Sequence, residues 1–161
     1  MDPVANFLVV ISTQLIIFLV HAYKVGELSN IKKYLLKGLA LGLPFGIIFD
    51  LIVGWQLGFF DYTFGFTPLF LVVNGILSYG LMIANVYLLY HHSLWHVYSW
   101  SVVIGASYEL INYFFPVWQW TFATPAIEHL AVILVAYFGL TLIMIGSAQL
   151  AYQTRFRIMP F

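Results

Sequence analysis

Gly38, Gly42, Gly46, Asp50, Gly54 and Gly58 recur at four-residue spacing through one apolar stretch. On a helix this spacing draws a nearly straight stripe along one face. The stripe is bare backbone interrupted by a single carboxyl group. Small residues so spaced let a second transmembrane helix approach closely. An ionisable side chain at membrane depth is costly, so it faces protein or water and marks a candidate functional site. The pattern returns as Ser101, Gly105 and Glu109. Packing through the two stripes would bring Asp50 and Glu109 into one central site.

A membrane setting suits the rest of the chain. It is 63% hydrophobic and 7% charged, against roughly 25% charged in a soluble domain, and its mean hydropathy is +0.96. Five segments can cross a hydrocarbon core of ~30 Å as helices: Val4–Tyr23, Tyr34–Phe59, Thr67–Tyr90, Leu94–Phe114 and Pro125–Tyr152. The expected fold is therefore a single all-α transmembrane domain over residues 1–161. The first span lacks a basic N-terminal flank and is followed by lysines, so it reads as a retained helix rather than a signal peptide. Lys24, Lys32, Lys33 and Lys37 fall in the first loop, and Arg155 and Arg157 in the C-terminal tail. Five spans put both places on one side, which predicts a multi-pass cell-membrane protein with its N-terminus outside and its C-terminus in the cytoplasm. Acids and bases balance, so nucleic acid is not an expected partner, and the absence of Cys removes disulfides and thiolate metal sites.

Two halves match at an offset of roughly 59 residues. The first, about residues 34–90, carries Gly42, Gly46 and Asp50, then Phe60-Asp61-Tyr62-Thr63-Phe64, Pro68 and Tyr79-Gly80. The second, about 94–152, carries Ser101, Gly105 and Glu109, then Trp118-Gln119-Trp120-Thr121-Phe122, Pro125 and Phe138-Gly139. Each unit has two spans, so the units share one orientation, as in parallel repeats.

Asp50 and Glu109 are the candidate proton donors. No Lys or Arg lies within a span to pair with them, and the expectation is neutral, protonated carboxyls. Glu128 joins them as a third acid, or serves as an interfacial acid near a helix N-terminus. Asn74, Ser78, Asn85 and Asn112 either glue helices by hydrogen bonds or orient the carboxyls. His21 with His91 or His96 could hold a bis-His haem only at equal depth on facing helices; interfacial His needs no ligand, and neither metal nor cofactor is expected. Aromatics form belts at both interfaces, but at 19% of the chain they exceed what belts require. Trp55, Phe60, Tyr62, Trp118 and Trp120, with Asn74 and Asn112, are expected to line a lipid-accessible cavity. Aromatic faces stabilise cations without offering a base. A carboxylic acid beside such walls suits acid-initiated cyclisation of an apolar polyene.

Residues Phe7 to Leu89 carry Leu43-Pro44-Phe45, Phe49-Asp50, Trp55, Phe60, Tyr62, Gly65 and a Pro-led span after a basic loop. In this the chain resembles the small integral-membrane lycopene cyclase domains of the heterodimer and fungal types. The resemblance implies redox-neutral formation of ionone end rings on a carotenoid. The family's Pro-x-Glu-Glu is absent: Pro68-Leu69-Phe70-Leu71 stands there, and a Glu follows only in Pro125-Ala126-Ile127-Glu128. Two other classes stay open: a non-catalytic subunit or apolar-ligand binder in a homo- or hetero-oligomer, and an oligomeric proton-coupled transporter. An isoprenoid or lipid is the expected ligand of the first two classes.

Overall fold

The structure is a computed structural model that describes residues 2–89, 93–121, 130 and 132–152. The chain is mostly helical. Helix α1 covers Pro3–Lys24, and the Asp2 carboxylate caps it by accepting from the Val4 amide at 3.0 Å. A 3-10 turn at Leu28–Asn30 leads into α2, Ile31–Phe49, which continues as a π-helical segment over Asp50–Gln56. Strand β1 is Phe60–Tyr62. Helix α3, Pro68–Asn74, has Thr67 as its cap and proline at its start, where the missing N–H costs nothing. It passes through a π segment, Gly75–Tyr79, into α4, Gly80–Leu88. Ser93 caps α5, Leu94–Phe114. After β2, Trp118–Trp120, a π segment at Val132–Ala136 runs into α6, Tyr137–Tyr152.

Four of these helical runs are long and apolar enough to cross a membrane: Pro3–Lys24, Leu28–Gln56, Pro68–Leu88 and Leu134–Ala151. Helix α5 is 21 residues long but is diluted by His96, Ser101, Ser107, Glu109 and Asn112. The observed helices shift the expected bounds modestly. The second run begins earlier and ends at Gln56 rather than Phe59. Tyr90, His91, His92, Phe122, Pro125, Glu128, His129, Arg155 and Arg157 lie outside the described residues.

The third run is the centre of the molecule; nearly all of α4 is buried. The glycine stripe of α2 lies against it. A Cβ at Gly42 would fall on the Gly80 backbone and 2.6 Å from the Gly75 carbonyl oxygen; one at Gly46 would meet the Tyr79 ring at 2.6 Å and the Gly75 Cα at 2.8 Å. The stripe therefore faces protein, but it packs α2 on its successor in the chain rather than on α5. Two expectations change with this. The stripe does not draw Asp50 onto Glu109, and Gly58 does not belong to it. Gly58 lies beyond the helix at φ +64°, a conformation open to glycine at no steric cost, and it turns the chain into β1.

The two aromatic loops clasp each other. Strands β1 and β2 pair antiparallel with Phe60 opposite Trp120, Asp61 opposite Gln119 and Tyr62 opposite Trp118. The Thr63 amide donates to the Val117 carbonyl at 2.8 Å and its hydroxyl to the Pro116 carbonyl at 3.2 Å. Reciprocally, the Thr121 amide donates to the Phe59 carbonyl at 3.1 Å, and its hydroxyl to the Gly58 carbonyl. The threonine of each Aro-x-Aro-Thr sequence thus ties its loop to the other.

Candidate functional site

Asp50 sits where α2 becomes π-helical and is 0% exposed. A buried carboxyl needs hydrogen-bond partners, and three side chains supply them. The Tyr79 and Tyr62 hydroxyls donate to Oδ1 at 2.6 and 2.9 Å, and the Asn74 amide donates to Oδ2 at 3.2 Å. Asn74 also donates to the Tyr62 hydroxyl at 3.0 Å, which orients that hydroxyl toward Asp50. Burial pushes the Tyr62 phenol well above its ordinary range, so Tyr62 keeps its proton and acts as a donor.

Glu109 lies on α5 and is 9% exposed. The Tyr137 hydroxyl and the Trp120 indole N–H donate to its Oε1 at 2.8 and 3.1 Å. The donors correspond in sequence. Tyr62 and Trp120 hold the same place in their loops, and Tyr79 and Tyr137 are likewise 58 residues apart. Gly46 lies against the Tyr79 ring, and Gly105 lies against the Tyr137 ring. No hydrogen bond joins the two carboxyls among the described residues.

A cavity of about 360 Å³ opens between the loops and the helices. Phe60, Tyr62, Trp118 and Trp120 of the clasped strands line it, together with Tyr79, Tyr137 and Asn74. The carboxyls stand behind their donors rather than in the wall. Phe49, Val53 and Ile143 line both this cavity and a second, of about 330 Å³, formed by residues of α2, its π extension and α6. The aromatic cavity therefore adjoins a lateral groove between those helices.

The remaining candidates fall elsewhere. Asn112 clamps the chain before β2: its Oδ1 accepts from the Val117 and Trp118 amides at 2.8 and 3.1 Å, and its Nδ2 donates to the Trp118 carbonyl at 2.7 Å. It shapes the cavity rim without lining the cavity. Trp55 is 70% exposed and does not line the cavity. Glu128 lies outside the described residues. His21 is buried, bonded through Nδ1 to the Asn85 amide oxygen at 3.2 Å and stacked on Trp100 at 4.0 Å. Among the described residues no group of three or more His, Cys, Asp or Glu side chains could hold a metal.

Tyr137 displaces Phe138, which the repeat alignment had placed opposite Tyr79. The Phe138 ring instead packs on Tyr98 at 5.2 Å, and Gly139, aligned with the tightly packed Gly80, has open space at its Cβ. The cause is local. Ten residues separate Asp50 from Phe60 but nine separate Glu109 from Trp118. A π segment accommodates an extra residue in a helix, and one follows Asp50 but not Glu109. The aromatic motifs themselves, 58 residues apart, carried the signal that would have found Tyr137.

No protein-family model, curated protein or solved structure matches this chain.

Proposed function

We propose that this chain is a five-helix integral-membrane protein of isoprenoid-cyclase type. It would take the end of a long apolar chain from the bilayer into its aromatic cavity. The observation that carries this reading is the cavity wall, built from the side chains that hydrogen-bond two buried carboxyls. Helix α5 completes the five as the fourth span in chain order. The two halves are a repeat related by a pseudo-two-fold axis through the Asp61–Gln119 pair, which the reciprocal threonine bonds favour. The N-terminus lies outside and the C-terminus in the cytoplasm, because the basic residues occupy only the first loop and the tail.

Cyclisation adds a proton to one carbon–carbon double bond and forms a ring bond to a second. It then loses a proton from a neighbouring carbon, so electrons balance without a redox partner. Asp50 reaches the cavity through the Tyr62 and Tyr79 hydroxyls, and Glu109 through Tyr137. With the carboxyl protonated, a hydroxyl turned toward the cavity gives its proton to the alkene as it takes one from the carboxyl behind it, and the carboxylate so formed takes back, through the same hydroxyl, the proton that the ring loses. The surrounding ring faces shelter the cation. A volume of about 360 Å³ suits one end of a long chain, with the remainder in the groove beside Phe49.

A second reading, an apolar-ligand carrier or non-catalytic subunit, is favoured by the same geometry, since neither carboxyl lines the cavity itself. Expression in a lycopene-accumulating host separates the two. A cyclic carotenoid that disappears with Glu109→Gln supports the enzyme. Acyclic pigment co-purifying unchanged supports the carrier. A folded protein that yields no cyclic product and retains neither the pigment nor an isoprenoid alcohol overturns both.

A further inference from the structure

Two polar groups in the cavity wall are not used by either carboxyl site. Gln14 lies on α1 and is 1% exposed; Tyr108 lies on α5 and is 2% exposed. Both line the aromatic cavity. The Gln14 amide nitrogen donates to the Ser78 hydroxyl at 2.8 Å. Its Oε1, and the Tyr108 hydroxyl, have no hydrogen-bond partner among the described residues. Buried polar atoms are seldom left unpaired, because each loses its water without compensation.

The two groups stand at one level of the cavity wall. Helices α1 and α5 run antiparallel: Asn6, near the start of α1, donates to the Pro116 carbonyl at 3.2 Å, while His21, near its end, stacks on Trp100 near the start of α5. Gln14 follows Asn6 by eight positions and Tyr108 precedes Pro116 by eight, so at equal rise along the two helices they stand at one level. They also stand on α1 and α5, whereas the lateral groove enters along α2 and α6. A chain entering there would meet them with its leading end.

We propose that the cavity binds an isoprenoid with a hydroxyl at its leading end, held between Gln14 and Tyr108. A hydroxyl is the group that serves both, since it donates to Gln14 Oε1 and accepts from Tyr108. It also serves if the Gln14 amide is flipped, because Ser78 can donate as well as accept. A hydrocarbon end satisfies neither group. The inference rests on the cavity being an isoprenoid site and adds which end chemistry it selects.

The test is a competition in lipid nanodiscs, with the full chain exposed to equal bilayer fractions of geranylgeraniol and the C20 hydrocarbon of the same skeleton. Native mass spectrometry reads the ratio bound. The expected result is at least tenfold preference for the alcohol, falling to within threefold in both Tyr108→Phe and Gln14→Leu. Equal retention of the two probes by the wild-type chain overturns the hydroxyl inference while leaving the isoprenoid cavity standing. A preference that survives in both variants overturns it too. Retention of neither probe overturns the cavity reading and the inference together. Should one variant fail to fold, the wild-type ratio and the other variant decide.

Discussion

Among the described residues, Asp50 is wholly enclosed and accepts hydrogen bonds from three side chains, whereas Glu109 keeps 9% exposure and accepts from two, both at Oε1. The difference follows from their halves. Asn74 reaches Asp50 from α3, while the corresponding positions before α6 are Ala131, Val132 and Ile133, with no amide to offer. Tyr62 is replaced by Trp120, a donor without an acceptor. At the level of Gly42, the first half packs backbone on backbone. The second has Ser101, whose hydroxyl bonds the Val97 carbonyl at 2.7 Å and Thr141 at 3.0 Å. One set of parts is closed tightly around a carboxyl that ties the bundle together. On the proposed reading, the looser set makes Glu109 the working acid.

Exchanging the small residues tests this contrast with the largest effect. Gly42→Ser, which copies the second half into the first, drives a side chain into the Gly75–Gly80 backbone and should cost about 3 kcal/mol or more. The reverse exchange, Ser101→Gly, forfeits hydrogen bonds at a side-chain contact and adds a glycine, for about 1–2 kcal/mol. Unfolding in mixed micelles ranks them. Equal losses would mean that the halves pack alike.

Removing the carboxyls comes next. Asp50→Leu leaves Tyr62, Tyr79 and Asn74 without their acceptor and should cost about 3 kcal/mol. Glu109→Leu orphans two donors and should cost about 2 kcal/mol by the same reasoning. Asp50→Asn keeps an acceptor and should cost about 1 kcal/mol. If Glu109→Leu proves the more damaging, Glu109 is the structural tie and the assignment of roles reverses.

How these parts were legible in the sequence differs between the halves. Apolar length gave the helices, and four-residue spacing gave the face of Gly42, Gly46 and Asp50. Spacing alone cannot say which neighbour that face meets, and the neighbour proved to be the next helix in the chain. The aromatic loops were legible as a pair because their Thr residues recur. The hydroxyl donors were not, since a π segment shifts the register by one residue and hides Tyr137 behind Phe138. Gln14 and Tyr108 sit singly among apolar residues, and no periodicity marks them. Trp55 groups with the loop aromatics by residue type, but residue type does not fix which way a side chain points.

A milder exchange asks whether the two phenols are equivalent. Tyr79→Phe removes one of three donors to Asp50, and Tyr137→Phe removes one of two to Glu109. Each should cost about 1 kcal/mol, the typical net value of one hydrogen bond. In a cyclising host, however, Tyr137→Phe should lower product formation more, because it cuts the route from Glu109 to the cavity. A larger loss of product with Tyr79→Phe would make Asp50 the working acid.

The smallest effect separates two tryptophans that the sequence treats alike. Trp55 exposes 70% of its surface and Trp120 donates its indole N–H to Glu109 at 3.1 Å. Trp55→Phe should change stability by less than about 0.5 kcal/mol, as an exposed substitution does, and should leave retention of an isoprenoid within about twofold, since RT is about 0.59 kcal/mol. Trp120→Phe keeps an aromatic face in the cavity but removes a donor, so it should lower stability by about 1 kcal/mol while retaining ligand. Melting curves and extraction of bound lipid read both. Loss of ligand from Trp55→Phe alone would move the binding site out of the cavity to the exposed face of α2's π extension, where no donor to either carboxyl stands, and the contrast between the two carboxyl sites would then carry no consequence for the ligand.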